Sequence, residues 1–543
     1  MRYSGLVWLL VVCPLGLAQH ATTGANRPAI LVTGLGNHHH PVSTKDPMAQ
    51  RFFDQGLTYV FAFNHDEAVR SFKRAAEIDP KLAMAHWGIA LALGPNINAD
   101  VDLAQEKAAF TAVQKANQLA AAAPPAERAY IEALTKRYSD DPKADLKKLA
   151  VDYKKAMGEL VKRYPDDVDA AVLYAESAMD LRPWKLWTAD GKPAEGTEEI
   201  VAVLESVLRR RPNHPGANHY YIHAVEASPR PERALPSADR LKSLVPAAGH
   251  LVHMPSHIYI RIGDYEEAAR RNDAAAKVDL AYIKRTGAKG IYPMMYYSHN
   301  LHFLAVAHAA QGRFGDAKKA ADQLAAHVGP SVKEMPMLEG FMPTPTLILV
   351  RFRRWDDILQ LPEPDAAQKI STALWHFAKG MAYSATGKQQ VAEEELNAFL
   401  ATRDSLPLDS MYGPQNKSSA VLPVPEHLLR AQIAMGKEDP KSAIEHLKLA
   451  TEAEDQIYYM EPKDWYIPAR ETLGGVLLRS RLYADAEKVF RADLERNARS
   501  GRSLFGLVES LKGQGKTYDA QMVELEFQEA WKNADTKLRV EDL

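Results

Sequence analysis

Cysteine is almost missing from this chain: its 543 residues include one, Cys13. A single thiol excludes a disulfide framework and any thiolate metal site. Long apolar runs are equally scarce. The one that stands out, "LVWLLVVCPLGLA", holds Cys13 and lies between Arg2 and the small-x-small triplet Gly16-Leu17-Ala18. A positive start, a short apolar stretch and small residues at the end are the three parts of a secretory leader. Residues 1–18 are therefore expected to be cleaved, leaving a periplasmic or secreted, thiol-free protein with no membrane span, since the run is short for one. Pro14, directly after Cys13, argues against a lipoprotein anchor. Excess charge of either sign is also absent, with 67 Lys+Arg against 69 Asp+Glu. That balance gives no support for a nucleic-acid partner, which calls for a basic surplus. No Gly-x-Ser-x-Gly, His-Glu-x-x-His or Walker sequence occurs, and "GLG" at Gly34–Gly36 lacks the rest of a phosphate loop.

What is present is repetition. The chain is too long for one ordinary core, so several domains or a repeat array are expected. "FFDQGLTYVFAFNHDEAVRSFKRAAEIDP" (52–80) places Gly56, Ala68, Phe72, Ala75 and Pro80 at intervals that suit two antiparallel helices, small residues at the crossing and bulky ones in the seam. This resembles the tetratricopeptide repeat (TPR), with Gly56 at consensus position 8, Ala68 at 20 and Pro80 at 32. The register recurs at "GANHYYIHAVEAS", at "GHLVHMPSHIYIRIGDYEEAARRNDAA" and at "YYSHNLHFLAVAHAAQGRFGDAKKAADQL". It recurs again in later units such as "ETLGGVLLRSRLYADAEKVF". The resemblance implies an all-α, right-handed superhelical solenoid of antiparallel helix pairs. The expected organisation is an extended segment over 19–47, N-terminal repeats over 48–165 and a histidine-rich central set over 166–330. A Pro-rich irregular repeat or bend follows over 331–372, then C-terminal repeats over 373–543.

Nine of the 19 histidines fall between His214 and His308, about three times the share expected from length. In "GHLVHMPSH" the spacing puts His250, His253 and His257 on one helical face. The resemblance implies that first helices of repeats line the concave groove through positions 2, 5, 9, 12 and 13. In that register His219, His223 and Glu226 take 5, 9 and 12 of one repeat. His250, His253 and His257 take 2, 5 and 9 of the next, and His299 and His302 take 2 and 5 of the one after. Glu176 takes position 9 of the preceding repeat.

Imidazoles at i/i+4 on neighbouring helices suit a transition metal, and seven exceed one coordination sphere, so a mononuclear or dinuclear site is expected. Copper, zinc and iron remain open, while a nitrogen-rich set disfavours Ca²⁺. Glu176 and Glu226 are the candidate proton carriers. The expected function is a metal-dependent enzyme, hydrolytic or oxidative, taking a peptide or small molecule in the groove. The alternatives are a non-catalytic interaction scaffold, a metal-binding protein, or a metal-free groove tuned by histidine protonation. Pro255 is expected to kink its helix between His253 and His257. His38, His39 and His40 precede the first helix, either in a turn or folded back to lend one ligand.

Overall fold

The computed structural model describes residues 29–543, so the expected leader at 1–18 lies outside the described residues. Within them every regular element is helical, and the only β-type pairings are isolated bridges. The first pair, Pro47–Phe61 and His65–Ile78, shows how the sequence builds the unit. The Asp46 side chain accepts the Met48 and Ala49 N–H groups ahead of Pro47, and Asn64 does the same for Glu67, so orphan amides at both helix starts are satisfied. Phe72 then wedges between Gly56 and Gly88. A Cβ at either glycine would lie 2.7 or 2.5 Å from its ring, so only glycine admits the close crossing.

The turn inside each pair repeats one backbone device. Phe63, Gly263, Gly312, Arg353, Gly387, Glu438, Arg481 and Gly515 all have φ between 53° and 81° and all sit between the first and second helix of a unit. Arg353 and Gly387 are 34 residues apart, as are Arg481 and Gly515, the period of a two-helix repeat. Elsewhere the interval is longer, because insertions such as Leu181–Gly196 separate the helices.

Two large apolar cores run along the array, one from Ala29 to Phe352 and one from Leu347 to Leu543. They meet at the Thr344–Arg351 helix, where Ile348 faces the first core and Leu347 and Leu349 the second. Just before it, Pro336–Phe341 forms a 3₁₀ turn, the local consequence of a Pro-rich stretch that lacks enough backbone donors for a regular helix.

The concave side is roofed rather than open. Gly216 packs on the Phe61 ring, Tyr282 donates to Glu67 at 3.1 Å, and Tyr265 donates to the Ala498 carbonyl at 2.8 Å. First, central and C-terminal repeats thus close around an interior cavity of roughly 1550 Å³. No helix among the described residues is long and apolar enough to cross a membrane.

A buried carboxyl in the C-terminal repeats gives the fold a testable pH response. Asp493 accepts hydrogen bonds from Ser503 (2.6 Å) and Asn497 (2.9 Å), yet burial, with Glu471 nearby, pushes it up to about 6. A folded value above the unfolded one means that stability is full below about 3.8 and is lost as pH rises through 6. Asp493→Asn should lessen the fall of the melting temperature between pH 4 and 7, removing a contribution worth up to about 3 kcal/mol. An unchanged slope in thermal denaturation would refute this assignment.

Candidate metal centre

Two histidine triads stand side by side at one end of the cavity. The Pro215–Val225 helix supplies His219 and His223, which meet His250 from Gly249–His253. His253 joins His257 from Pro255–Arg261 and His299 from Tyr297–Ala310. In each triad, ring nitrogens lie within 4.8 Å of one another. The triads touch: His223 and His257 have centroids 5.4 Å apart, and His250 and His253 5.8 Å. Pro255 interrupts the middle helix as its missing N–H requires. The His257 N–H bonds Met254, three residues back, at 3.2 Å, and the ring of His257 is turned toward that of His253.

The outer nitrogens fix the inner ones. His219 Nδ1 donates to the Phe61 carbonyl at 2.7 Å, a helix-end oxygen that the backbone leaves free. His223 Nδ1 donates to Glu226 Oε1 at 2.7 Å, and His257 Nδ1 to Glu226 Oε2 at 2.5 Å. His253 Nδ1 donates to Asn272 Oδ1 at 2.7 Å. The Asn272 amide is oriented by its own bond to the Ala268 carbonyl, so its oxygen is the acceptor. All four partners are acceptors, so each of the four rings carries a proton on Nδ1 and turns its Nε2 inward. His253 Nε2 and His257 Nε2 face each other at 2.8 Å, and His219 Nε2 faces His250 Nε2 at 3.1 Å. His223 Nε2 is buried without a hydrogen-bond partner, as is His250 Nδ1.

Electrostatics favour the neutral form at five of these histidines. Burial holds His219, His250, His253 and His299 well below the usual histidine value and lowers His223, with neighbouring imidazoles adding to the effect. Glu226 goes the other way. Burial alone would raise its carboxyl, but His257 and His223 hold it far below the usual range, so it stays an anion. Tyr459, from the loop before the Ala469–Arg479 helix, donates to Glu226 Oε2 at 3.2 Å, and Arg261 Nε donates to the Glu226 carbonyl at 3.0 Å.

The remaining candidates sit elsewhere. His302 lines the cavity between the rings of Phe341 and Tyr466, outside both triads, and burial lowers it to about 4. Glu176 is buried with Asp180 against Arg137, whose Nη2 donates to Asp180 at 2.7 Å, and burial raises its carboxyl; the structure does not bring it to the triads. Asn272, Phe61 and Tyr459 were not signalled as site residues. Only Asn272 left a trace in the sequence: it lies four residues after Ala268 and three before Ala275, a polar side chain on the buried stripe of its helix.

Comparison with known proteins fits this architecture. The tetratricopeptide repeat model matches residues 49–82. The recurring left-handed turn carries the same helix-pair unit along the array. The chain holds a tetratricopeptide repeat and folds as a TPR-type solenoid. Among solved structures, the TPR array is similar to a human IFIT1 dimer with m7Gppp-AAAA, at 15% identity over 90% of this chain and 91% of that one, with a TM-score of 0.34. It is also similar to the APC/C hetero-tetramer Cut9-Hcn1 (13%, 91% and 76%, 0.30) and to yeast Tom70 (11%, 89% and 90%, 0.29). No curated protein matches the chain.

A second histidine group in the TPR array is built differently. His38 and His40 reach back from the segment before the first helix to the Asp169 carboxylate, at 3.0 and 2.8 Å, where His214 also donates at 2.9 Å. The remaining nitrogen of His214 accepts the Ala217 N–H at 3.1 Å and caps a helix, so that ring has no lone pair to offer an ion. These histidines fasten the leading segment across the repeats. His39 points outward to Asp54 at 2.8 Å.

Gly249, the first residue of "GHLVHMPSH", is held to glycine by packing. A Cβ there would fall 2.0 Å from Asp279 Oδ1, and that carboxylate is pinned by Tyr292 (2.9 Å) and Asn300 (2.7 Å). Gly249→Ala should destabilise the protein by about 1–3 kcal/mol, the usual cost of overpacking. A melting temperature equal to wild type would refute it.

Proposed function

We propose that this TPR protein is a metal-dependent enzyme whose solenoid encloses a paired transition-metal centre, one ion in His219/His223/His250 and the other in His253/His257/His299. The observation that carries the reading is the set of four Nδ1 donors tied to outer acceptors. It turns the Nε2 atoms of His253 and His257 toward each other at 2.8 Å inside the fold. Two facing acceptors repel, and a cation between them removes the repulsion while using the outer bonds to orient its ligands. Nitrogens bound at about 2.0–2.1 Å would sit about 3.3 Å apart around a tetrahedral ion, so a small outward shift of the rings suffices.

Three protein ligands leave each ion a free position, as catalytic sites do and closed structural sites do not. That position faces the cavity, because His223, His250, His257 and His299 all line it. Glu226 has both oxygens engaged by ligand rings, so its role in this reading is to orient and balance charge rather than to carry protons. Elemental analysis of the protein purified from metal-supplemented cells should find two equivalents of one transition metal per chain. None, even after reconstitution of the apoprotein, would overturn the proposal.

A further inference from the structure

The ligand set itself discriminates among metals. Between helices, paired iron or manganese is held largely by carboxylates, with Glu residues from several helices around two histidines. Here all six ligating groups are imidazoles; one carboxylate, Glu226, stands behind them on the Nδ1 side, and a second, Glu461, lines the cavity within electrostatic reach of His257. Two divalent ions would therefore put four positive charges into a buried site beside two carboxyl groups, with the Arg261 guanidinium also there, on the Glu226 backbone carbonyl. Uncompensated charge in such surroundings is costly. Two copper(I) ions bring half that charge, and imidazole suits copper well. Thioethers, which select copper(I), line the same cavity at Met295 and Met460.

Resting on the paired-metal reading above, we infer that the centre holds two copper ions and takes dioxygen as a ligand between them, for the oxidation of an electron-rich aromatic alcohol of the catechol class. The charge argument extends through the reaction. Each copper(I) gives one electron to dioxygen, which becomes a dianion held between two copper(II) ions, so the total charge of the site stays at plus two. One catechol then supplies two electrons and two protons, and the bound oxygen becomes two hydroxides that stay on the copper(II) ions, so the charge is still plus two. A second catechol returns both coppers to copper(I), and its two protons carry the hydroxides away as two waters. The sum is two catechols and one dioxygen giving two quinones and two waters.

The cavity suits such a substrate. The π-helical turn Tyr292–Tyr296 sets two tyrosines in its wall, and the Tyr296 ring meets His250 edge-on at 4.9 Å. Phe63 stacks on the other side of His250 at 5.4 Å, and Phe341, Tyr412 and Tyr466 continue the aromatic lining. A flat, electron-rich ring finds stacking partners along this wall.

The test loads the full apoprotein with copper(I) under nitrogen and then admits dioxygen. Two coppers per chain should bind, an intense near-ultraviolet charge-transfer band should appear with no copper(II) signal in electron paramagnetic resonance, and 4-methylcatechol should discharge the band with formation of its quinone. His253→Ala/His257→Ala should bind one copper and give no band. If two coppers, or two zinc ions, bind but reduced copper protein takes up no dioxygen, this inference fails and the paired-metal reading stands. If no metal binds at all, both fail. A band that 4-methylcatechol leaves unchanged overturns the substrate class.

Discussion

Replacing both His253 and His257 by alanine should halve the metal content, from two equivalents per chain to one. His253 and His257 supply two of three ligands to one ion, and His299 alone cannot retain it, whereas His219, His223 and His250 keep their partners. The reciprocal pair, His219→Ala/His223→Ala, should spare the other ion. Each substitution also empties space beside Phe303 or Phe63, and truncating a buried side chain of this size costs about 2–5 kcal/mol. Circular dichroism of the apoproteins therefore belongs beside the metal analysis, and asparagine or glutamine variants fill the gap if alanine unfolds the chain. Loss of both metals with the fold intact would mean one interdependent centre. Retention of both would place the metals elsewhere.

The sequence made the scaffold legible because TPR spacing is a local signal. Gly56, Ala68 and Ala75 announce a close helix crossing, and the structure wedges Phe72 into it. It also marked the inward face of three helices, and six of the seven histidines on that face come together in triads. Three things stayed hidden for physical reasons. The roof over the groove arises from contacts between repeats far apart in the chain, such as Phe61 with His219 and Tyr459 with Glu226, which no periodicity encodes. Glu176 and His302 share the consensus face with the triad histidines, but the superhelix turns Glu176 toward Arg137 and sets His302 farther along the cavity. The roles of His38 and His40 depend on Asp169, some 130 residues later, where the expected options had been a turn or a ligand.

Glu226 offers the sharpest distinction between a site built for metal and a merely polar core, because glutamine and alanine should fail in different ways. Glu226 accepts from one ring of each triad, so among the described residues it is the side chain that fixes a tautomer in both. Glutamine keeps one acceptor oxygen and replaces the other with an amide that can only donate. One imidazole would keep its Nδ1–H bond, while the other would meet a donor and move its proton to Nε2, closing the lone pair that a metal needs. Glu226→Gln should thus weaken one metal about 10–100-fold and the other much less, measured by competition with a chelator. Glu226→Ala removes both acceptors and the buried negative charge, so both metals should weaken by that factor or more, and Tyr459 loses its acceptor as well. If the carboxylate served only packing, glutamine would match wild type in metal affinity while alanine lowered the melting temperature alone. Equal weakening of both metals by glutamine would show that its charge, rather than its two oriented oxygens, is what the centre requires.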